Sequence, residues 1–261
     1  MGQISVGTCG FSYADWKGVF YPESIKQTAM LSFYASEFNA VELDFTYYAM
    51  PNARNIDAMA KKTPDSFIFS VKAHKSMTHE RTLNPEEDRK NFQSFTLAME
   101  PLIATGKLGC VLVQFPWGFK RTSENESYLD FVREELGDLP AVIEFRNIEW
   151  VKDEVFIKLE RLNLGFCCVD EPKLKGLFPP LSRCTSDIAY LRFHGRNAAK
   201  WWNAKEGWER YDYQYAKREL EEWVPKVLKL SSETQKTFVL FNNHHAGQAV
   251  VNARMLKELL G

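Results

Sequence analysis

The sequence predicts a (β/α)8 TIM-barrel-like α/β fold. Three observations lead to it: eight short apolar runs recur along the chain, segments of helical periodicity lie between several of them, and the chain has 261 residues. Alternating strands and helices imply a mostly parallel sheet, because parallel neighbours need a crossover connection. Eight such units in about 250 residues are what this barrel requires.

The eight predicted strands are spaced fairly evenly. They begin near Ile4, Ala40, Phe67, Gly109, Ala141, Gly165, Ile188 and Thr237. The predicted helices cover residues 29–38, 86–102, 124–136, 152–162, 213–230 and 246–260. An open doubly wound sheet is the alternative fold, but it would usually carry a glycine-rich first turn. The first turn here reads TCGFSY at residues 8–13, which is neither that fingerprint nor a phosphate-binding Walker loop.

Two connections are expected to depart from the regular unit. The sixth crossover, residues 171–183, contains Pro172, Gly176, Pro179 and Pro180, so we expect it to be irregular, with little or no helix. The seventh βα loop, residues 195–212, is long and aromatic. No repeat or linker divides the chain, and the eight units use nearly all of it. Residues 1–261 are therefore predicted to form a single TIM-barrel-like domain.

The charge balance and the cysteines limit the class of protein to which the chain can belong. Lys and Arg number 33 against 34 Asp and Glu, a net charge of −1, so nothing global attracts the protein to nucleic acid or to an anionic membrane. Five cysteines without a C-x-x-C pair fit a reducing compartment better than a disulfide framework or a zinc site. The sequence shows neither a signal peptide nor an apolar stretch of membrane-spanning length. We therefore expect a soluble, cytoplasmic protein with no membrane partner.

Four predicted strands end in a pair of polar residues spaced two apart. The pairs are Glu42 with Asp44, Lys72 with His74, Glu144 with Arg146, and Arg192 with His194. Residues i and i+2 of a strand share a face, and the residues between them are apolar, so the polar set is expected to face the barrel axis at its C-terminal mouth. Three further strands end in Gln114, in Asp170, and in Asn242 with Asn243. Active sites of such barrels lie at this face, and an inert polar plug is the alternative.

The candidate roles follow from the chemistry of these groups. Lys72, Arg146 and Arg192 predict a small anionic ligand, because guanidinium groups bind oxyanions bidentately. Glu42 and Glu144 are candidate general bases or metal ligands, and their structural alternative is to hold the arginines in place. His74 and His194 are candidate proton donors. The remaining candidate substrate-binding residues are Gln114, Asp170, Gly195, Asn242 and Trp201.

A metal is not favoured, and the sequence leaves the cofactor undetermined. Five histidines lie near strand ends or in the loops beyond them, but no H-E-x-x-H or comparable ligand spacing appears. We therefore assign no metal ligand, although the carboxylates leave a divalent ion as an alternative. Trp201 and Trp202 lie in a polar segment of the seventh βα loop, where indoles can act as a lid or stack on bases and sugar rings.

The strand-end segments resemble the YecE-like family, a family built on domain of unknown function 72. The matching segments, from residue 8 to residue 253, read TCGFSYADW, AVELDFTYY, VKAHKSMTH, VLVQFPWGF, VIEFRNIEW, VDEP, YLRFHGRN and FNNHHAGQAVVNA. The resemblance implies a TIM barrel without an established activity. It also places eleven candidates inside the family's own motifs: Glu42, Lys72, His74, Gln114, Glu144, Arg146, Asp170, Arg192, His194, Gly195 and Asn242.

Such barrels are similar in architecture to endonuclease IV and to sugar isomerases and epimerases, which motivates phosphodiester or sugar-phosphate chemistry by analogy of fold. The first hypothesis is therefore an enzyme acting on a nucleotide, a sugar phosphate or a nucleic-acid end. The alternative is a noncatalytic protein that binds a metabolite or single-stranded nucleic acid, and a third hypothesis is an interaction scaffold. The histidine-rich ligand motifs of endonuclease IV are missing from this chain, and the sequence does not determine the oligomeric state.

Overall fold

Eight parallel strands close into a barrel in chain order. The structure is a computed structural model, and it describes residues 2–82 and 84–261. The strands are β1 (Gln3–Cys9), β2 (Ala40–Leu43), β3 (Ile68–Lys72), β4 (Leu108–Gln114), β5 (Ala141–Glu144), β6 (Gly165–Asp170), β7 (Ile188–Phe193) and β8 (Lys236–Phe241). Strand β1 pairs with both β2 and β8, which completes the ring. The predicted (β/α)8 class is confirmed, and the open doubly wound alternative is wrong.

Helices surround the barrel. They are α1 (Gln27–Glu37), α2 (Phe45–Tyr48), α3 (Ala53–Ala60), α4 (Pro85–Ala98), α5 (Glu100–Ala104), α6 (Ser123–Leu136), α7 (Asp153–Arg161), α8 (Lys217–Glu221), α9 (Val224–Glu233) and α10 (Gln248–Leu260). Side-chain caps mark several beginnings, because the first N–H groups of a helix lack partners within it. The Asn52 side chain accepts from the Asn55 N–H at the start of α3, and Thr122 accepts from the Asn125 N–H at the start of α6.

Prolines divide two segments that the periodicity predicted as single helices. The segment 86–102 contains nearly all of α4 and the first residues of α5, with Pro101 at the beginning of the second helix. The segment 213–230 starts without helix and then contains α8 and most of α9, with Pro225 in the first turn of α9. Proline lacks the N–H that would continue a helix, but it is tolerated in a first turn, so a helix begins at each of these prolines rather than passing through it.

The two irregular connections lie where the sequence predicts them. Residues 171–187, between β6 and β7, are described throughout and contain no helix. Within this crossover, Leu177 pairs with Asn147 in an isolated antiparallel bridge. In the loop after β7, a single 3-10 helix, Gly207–Tyr211, precedes α8. Both connections leave the carboxyl ends of strands, so they lie over the mouth of the barrel.

Alternation along the strands separates an outer apolar core from a polar barrel interior. Val41 and Leu43 are buried, whereas Glu42 between them points inward to Tyr190, whose hydroxyl donates to the Glu42 Oε2 at 2.6 Å. Ser70 lies 2.7 Å from the same hydroxyl, so this part of the interior is filled with hydrogen-bonded side chains. Burying each aliphatic side chain beneath the helices contributes about 1.5–3 kcal/mol to the stability of the fold. The barrel is therefore closed below the mouth.

None of the helices in the described parts of the chain is long and apolar enough to cross a membrane.

Candidate functional site

Arg192 joins two buried carboxylates at the top of the barrel interior. Its Nη2 donates to the Glu42 Oε1 at 2.6 Å, and its Nη1 donates to the Glu144 Oε2 at 2.7 Å. Arg192 is 1% exposed and both carboxylates are fully buried. The three residues come from β7, β2 and β5, and strand alternation brings them inward as the sequence predicts. A charge buried this deeply is tolerated only when it is paired and hydrogen-bonded.

Arg146 forms a second cation contact with Glu144. Its Nε lies 2.5 Å from the Glu144 Oε1, and its Nη1 donates to the Glu171 Oε2 at 2.9 Å. Sequence reasoning missed Glu171, which follows the last residue of β6. Two carboxylates therefore already neutralise Arg146, although its side chain reaches the mouth.

The electrostatic environments of Glu42 and Glu144 are opposite. Burial by itself would raise the pKa of Glu144, but the charges of Arg146 and Arg192 hold that pKa well below its ordinary value. Burial raises the pKa of Glu42 to about 8, because the opposing effect of Arg192 is smaller and the neighbouring Asp44 raises it further. Near neutral pH, Glu144 is therefore ionised and Glu42 is largely protonated. Such a pair, with pKa values pushed apart, is typical of acid–base sites.

His194 is a neutral, fully buried member of the same cluster. The Asn242 Nδ2 lies 3.0 Å from its Nδ1, and its Nε2 lies 3.3 Å from the Glu144 Oε1. Burial and the charge of Arg146 hold the pKa of His194 well below its usual range. Because the Asn242 amide donates to Nδ1, the ring carries its proton on Nε2, facing Glu144. Both His194 and Asn242 lie among the predicted site residues.

Cys9 completes a group of three potential metal-ligand side chains with Glu42 and Asp44. Their donor atoms lie within 4.8 Å of one another. Arg192 lies among them, with its Nη2 3.5 Å from the Cys9 Sγ and 3.7 Å from the Asp44 Oδ1. Burial raises the pKa of the Cys9 thiol well above its usual value, so the thiolate that binds metals is disfavoured. These contacts favour Arg192, rather than a metal ion, as the positive charge of this group.

A cavity of about 260 Å³ lies above this cluster. Three cations line it, Lys72, Arg146 and Arg210, together with Gln114 and His79. Its aromatic wall consists of Tyr47, Tyr48, Trp117, Trp201, Trp202 and Tyr211, contributed by loops that follow β2, β4 and β7. The cavity therefore combines positive charge with ring surfaces. Neither Glu42 nor Glu144 lines it, since both lie beneath its floor.

Two of the three cations retain donors for a ligand. The Lys72 Nζ lies 3.9 Å from the Asp44 Oδ1 and 4.6 Å from the centre of the Tyr47 ring. The guanidinium of Arg210 lies 5.8 Å from the centre of the Trp201 ring, and its buried Nε has no hydrogen-bond partner among the described residues.

Of the two histidines that follow β3, the one that lines the cavity is not the predicted His74. His74 does not line the cavity: its Nδ1 lies 2.8 Å from the Ser76 Oγ and accepts from the Ser76 N–H, so it caps the turn after β3. His79 lines the cavity instead, with its Nδ1 2.8 Å from the Thr78 Oγ1. Burial and the nearby charge of Lys72 lower the pKa of His79 to about 4, so it is neutral at pH 7.

Asp170 points away from the barrel axis, which corrects the expectation that it converges with the other strand ends. Its Oδ1 accepts from Arg196 at 2.8 Å and from the Tyr215 hydroxyl at 2.7 Å, while its Oδ2 accepts from the Trp223 Nε1 at 2.7 Å. Cys167 points inward to Glu144, so Asp170, three residues later on the same strand, takes the opposite face. Asp170 therefore anchors the loop after β7, and Arg196 belongs to this anchor.

Gly195 does not line the cavity either; the backbone conformation requires a glycine there. Its φ of +86° is one that side chains rarely adopt, and a Cβ there would lie 2.7 Å from the Tyr213 Cβ. Its N–H donates to the Tyr215 hydroxyl at 2.9 Å. Of the predicted residues, Lys72, Gln114, Arg146 and Trp201 line the cavity, and Glu42, Glu144, Arg192, His194 and Asn242 lie beneath it.

A common phosphate position of TIM barrels is filled by a side chain in this chain. Barrel enzymes often bind phosphate at the loops after the seventh and eighth strands, at the start of an extra helix. Here the N–H of Ala246, in the loop between β8 and α10, donates to the Asp15 Oδ2 at 2.7 Å. A carboxylate thus occupies the place of an external anion.

The comparisons with known proteins agree over nearly the whole chain. A family model described as "Protein of unknown function DUF72" matches residues 5–261. The UPF0759 protein YunF of Bacillus subtilis is 36% identical over 272 residues, covering 99% of this chain and 95% of that protein. A solved DUF72 family protein of Thermotoga maritima is 42% identical, with a TM-score of 0.91 and 99% of both chains covered. Another, of Enterococcus faecalis, is 31% identical, with a TM-score of 0.88 and 99% and 95% covered. The chain belongs to the DUF72 family, which confirms the resemblance found in its strand-end motifs.

Proposed function

We propose that this DUF72 protein is an enzyme that acts on a phosphorylated or other small anionic substrate bearing a ring. A nucleotide, a sugar phosphate or a nucleic-acid end has that chemistry. One observation carries the proposal: a single cavity at the C-terminal mouth combines cations and aromatic rings above two carboxylates with opposite electrostatic environments. Characterised TIM-barrel enzymes have their active sites at this face.

Binding would depend on the cations and on the aromatic rings that line the cavity. Lys72 and Arg210 would hold the anionic group, because they retain unpaired donors, and Arg146 would contribute from the floor. Tyr211 and Trp201 would contact the ring. Ligand cavities usually exceed about 300 Å³. A cavity of about 260 Å³ therefore favours a compact ligand, such as one nucleotide or a sugar phosphate, over a dinucleotide.

Proton transfer would begin at Glu42. Its raised pKa keeps a proton on the carboxyl near neutral pH, and Asp44 lies beside it. Asp44 in turn lies 3.9 Å from Lys72, which lines the cavity. We assign Glu42 the role of proton store, with Asp44 connecting it to the cavity, and Glu144 the role of positioning Arg146 and Arg192. His194 would orient Glu144 rather than meet the substrate.

Isothermal titration with inorganic phosphate, ribose 5-phosphate and thymidine monophosphate tests the binding step. Lys72→Ala and Arg210→Ala should each weaken binding by about tenfold or more, as expected for a charge-assisted hydrogen bond. The matched controls are Lys61→Ala and Arg54→Ala, exposed positions on or next to α3, which should bind as the native protein does. Unchanged affinity in both cavity variants would remove the proposed anion site.

A noncatalytic metabolite-binding protein is the second candidate. The observation in its favour is that Glu42 and Glu144 are fully buried and do not reach the cavity. Incubating the protein with each ligand that binds, and analysing the mixture by mass spectrometry, separates the two. An enzyme should give product that Glu42→Gln abolishes while ligand affinity is kept. A binding protein should return every ligand unaltered.

The cysteines and the connectivity support the remaining proposals on location and domain structure. All five cysteines are free, and four of them are buried, as suits a reducing compartment such as the cytoplasm. The eight strands belong to one closed sheet, which supports one TIM-barrel-like domain for residues 1–261.

A further inference from the structure

A ridge of exposed aromatic and basic side chains continues outward from the cavity. We call it the Trp117 ridge, and it consists of Trp117, Lys120, Lys173, Lys175 and Trp202. Trp117 is 42% exposed and Trp202 is 50% exposed, although such rings are usually largely buried. Their ring centroids lie 5.6 Å apart with the planes at 73°, and both rings also line the cavity. The ridge is therefore continuous with the proposed ligand site.

A hydrogen bond from a side chain to the backbone joins two of the loops that carry the ridge. The Trp117 Nε1 donates to the Gly176 carbonyl at 3.0 Å, which ties the loop after β4 to the crossover after β6. Lys175 precedes Gly176 in that crossover, and Lys173 lies two residues earlier. The Lys120 Nζ lies 6.0 Å from the Trp117 ring.

The lysines of the ridge are available for an external anion. Lys120, Lys173 and Lys175 are all exposed. The ion pairs formed by the described residues in these loops involve Arg121, Arg146, Arg183, Arg196 and Lys200, and none of them involves the three ridge lysines. A single nucleotide or sugar phosphate in the cavity would not need these charges. They indicate a ligand with further negative groups outside the cavity.

We infer that the Trp117 ridge binds the continuation of a single-stranded nucleic acid whose terminal nucleotide occupies the cavity. The inference rests on the proposed function and names its substrate class. Exposed indoles stack on bases of any sequence, and lysines track the phosphates between them. A single strand is required, because bases inside a duplex are already stacked on one another and the cavity is compact. The overall net charge of −1 makes this local patch the source of the affinity.

Fluorescence anisotropy with a labelled, terminally phosphorylated oligothymidylate, over a series of salt concentrations, tests the inference. The variant K120A/K173A/K175A should bind the oligonucleotide about 10- to 100-fold more weakly, and the slope of log K against log salt should fall by about 2, at ~0.7 per phosphate contact. Titration with thymidine monophosphate should give the same affinity as the native protein, because none of these lysines lines the cavity. The control K61A/K90A/K229A removes three exposed lysines from the helical surface and should change neither result.

The two proposals fail in distinguishable ways. If thymidine monophosphate binds and depends on Lys72 and Arg210, but the oligonucleotide binds no more tightly, the ridge inference is overturned and the cavity proposal stands. If the ridge variant and the control variant lose equal affinity for the oligonucleotide, the ridge has no specific role and the inference is again overturned. If neither the mononucleotide nor the oligonucleotide binds, the ridge inference is overturned, and binding of inorganic phosphate or ribose 5-phosphate decides whether the cavity proposal stands.

Discussion

Arg192 and Glu144 form a buried ion pair in the barrel interior, with Nη1 and Oε2 2.7 Å apart. The second nitrogen of the same guanidinium, Nη2, lies 2.6 Å from Glu42. One cation thus binds carboxylates from two strands, and it holds both of them buried beneath the cavity. Removing it would leave the two carboxylates without their shared partner.

Arg192→Leu should therefore lower the free energy of unfolding by about 3–5 kcal/mol, the usual cost of breaking a buried ion pair by removing one partner. Urea unfolding measures the loss. Arg161→Ala is the control: Arg161 is 70% exposed, lies 3.5 Å from Asp130, and should change stability by less than about 0.5 kcal/mol. A loss below about 1 kcal/mol for Arg192→Leu would show that Arg146 alone compensates the buried charge of Glu144.

Glu42 should make stability depend on pH in a known direction. Its pKa is about 8 in the folded protein against 4.5 for an ordinary glutamate, so the folded state keeps a proton that the unfolded chain releases. The stability that this group contributes is fully present below about pH 4.5 and is lost as the pH rises through about 8. Glu42→Gln does not titrate. Urea unfolding should show the stability difference between native protein and variant moving in favour of the variant, by up to about 1.4 kcal/mol per pH unit, between those limits.

The control for this titration is Glu37→Gln, an exposed glutamate paired with Arg254 on the surface. Its stability difference should stay nearly flat over the same range. A Glu42→Gln difference that is equally flat, or that moves in favour of the native protein as the pH rises, would contradict a protonated Glu42.

Asp170→Asn should destabilise the protein while leaving the cavity chemistry intact. The amide replaces an oxygen that accepts from Arg196 and Trp223 with a donor, so we expect a loss of about 2–4 kcal/mol. Urea unfolding should show this loss, and hydrogen exchange should become faster in residues 195–216. Lys72→Ala is the comparison, because it should weaken phosphate binding without such a loss. If the variant keeps its stability but binds phosphate more than about tenfold more weakly, Asp170 would instead have a role in substrate binding.

Gly195→Ala should destabilise the protein more than Gly106→Ala does. Both glycines have positive φ, +86° and +67°, so both variants carry backbone strain of about 1–3 kcal/mol. Only at Gly195 would the new Cβ clash, 2.7 Å from the Tyr213 Cβ, whereas nothing lies within 4 Å at Gly106. Thermal unfolding of the two variants isolates the clash. Equal losses would mean that Tyr213 moves aside freely.

Much of the buried part of the site could be predicted from the sequence. In β2, β5 and β7 the polar residues alternate with apolar ones, and a period of two is a local property that sets the face each side chain takes. Glu42, Glu144 and Arg192 meet for that reason. In β6 the run GFCCVD is apolar on both faces until its end, so alternation does not predict which face the Asp170 side chain takes. Its direction depends on Arg196, Tyr215 and Trp223, which are distant in sequence.

The sequence by itself determined the barrel and the residues at its strand ends, because periodicity, turn residues and strand alternation act over a few positions. Only the tertiary structure decided which side chains reach the cavity. Arg210 and His79 lie in loops without periodicity, and long-range hydrogen bonds such as that of the Gly195 N–H to the Tyr215 hydroxyl shape the loop that carries Arg210. A loop side chain is placed by its partners in the fold, which local sequence patterns do not specify.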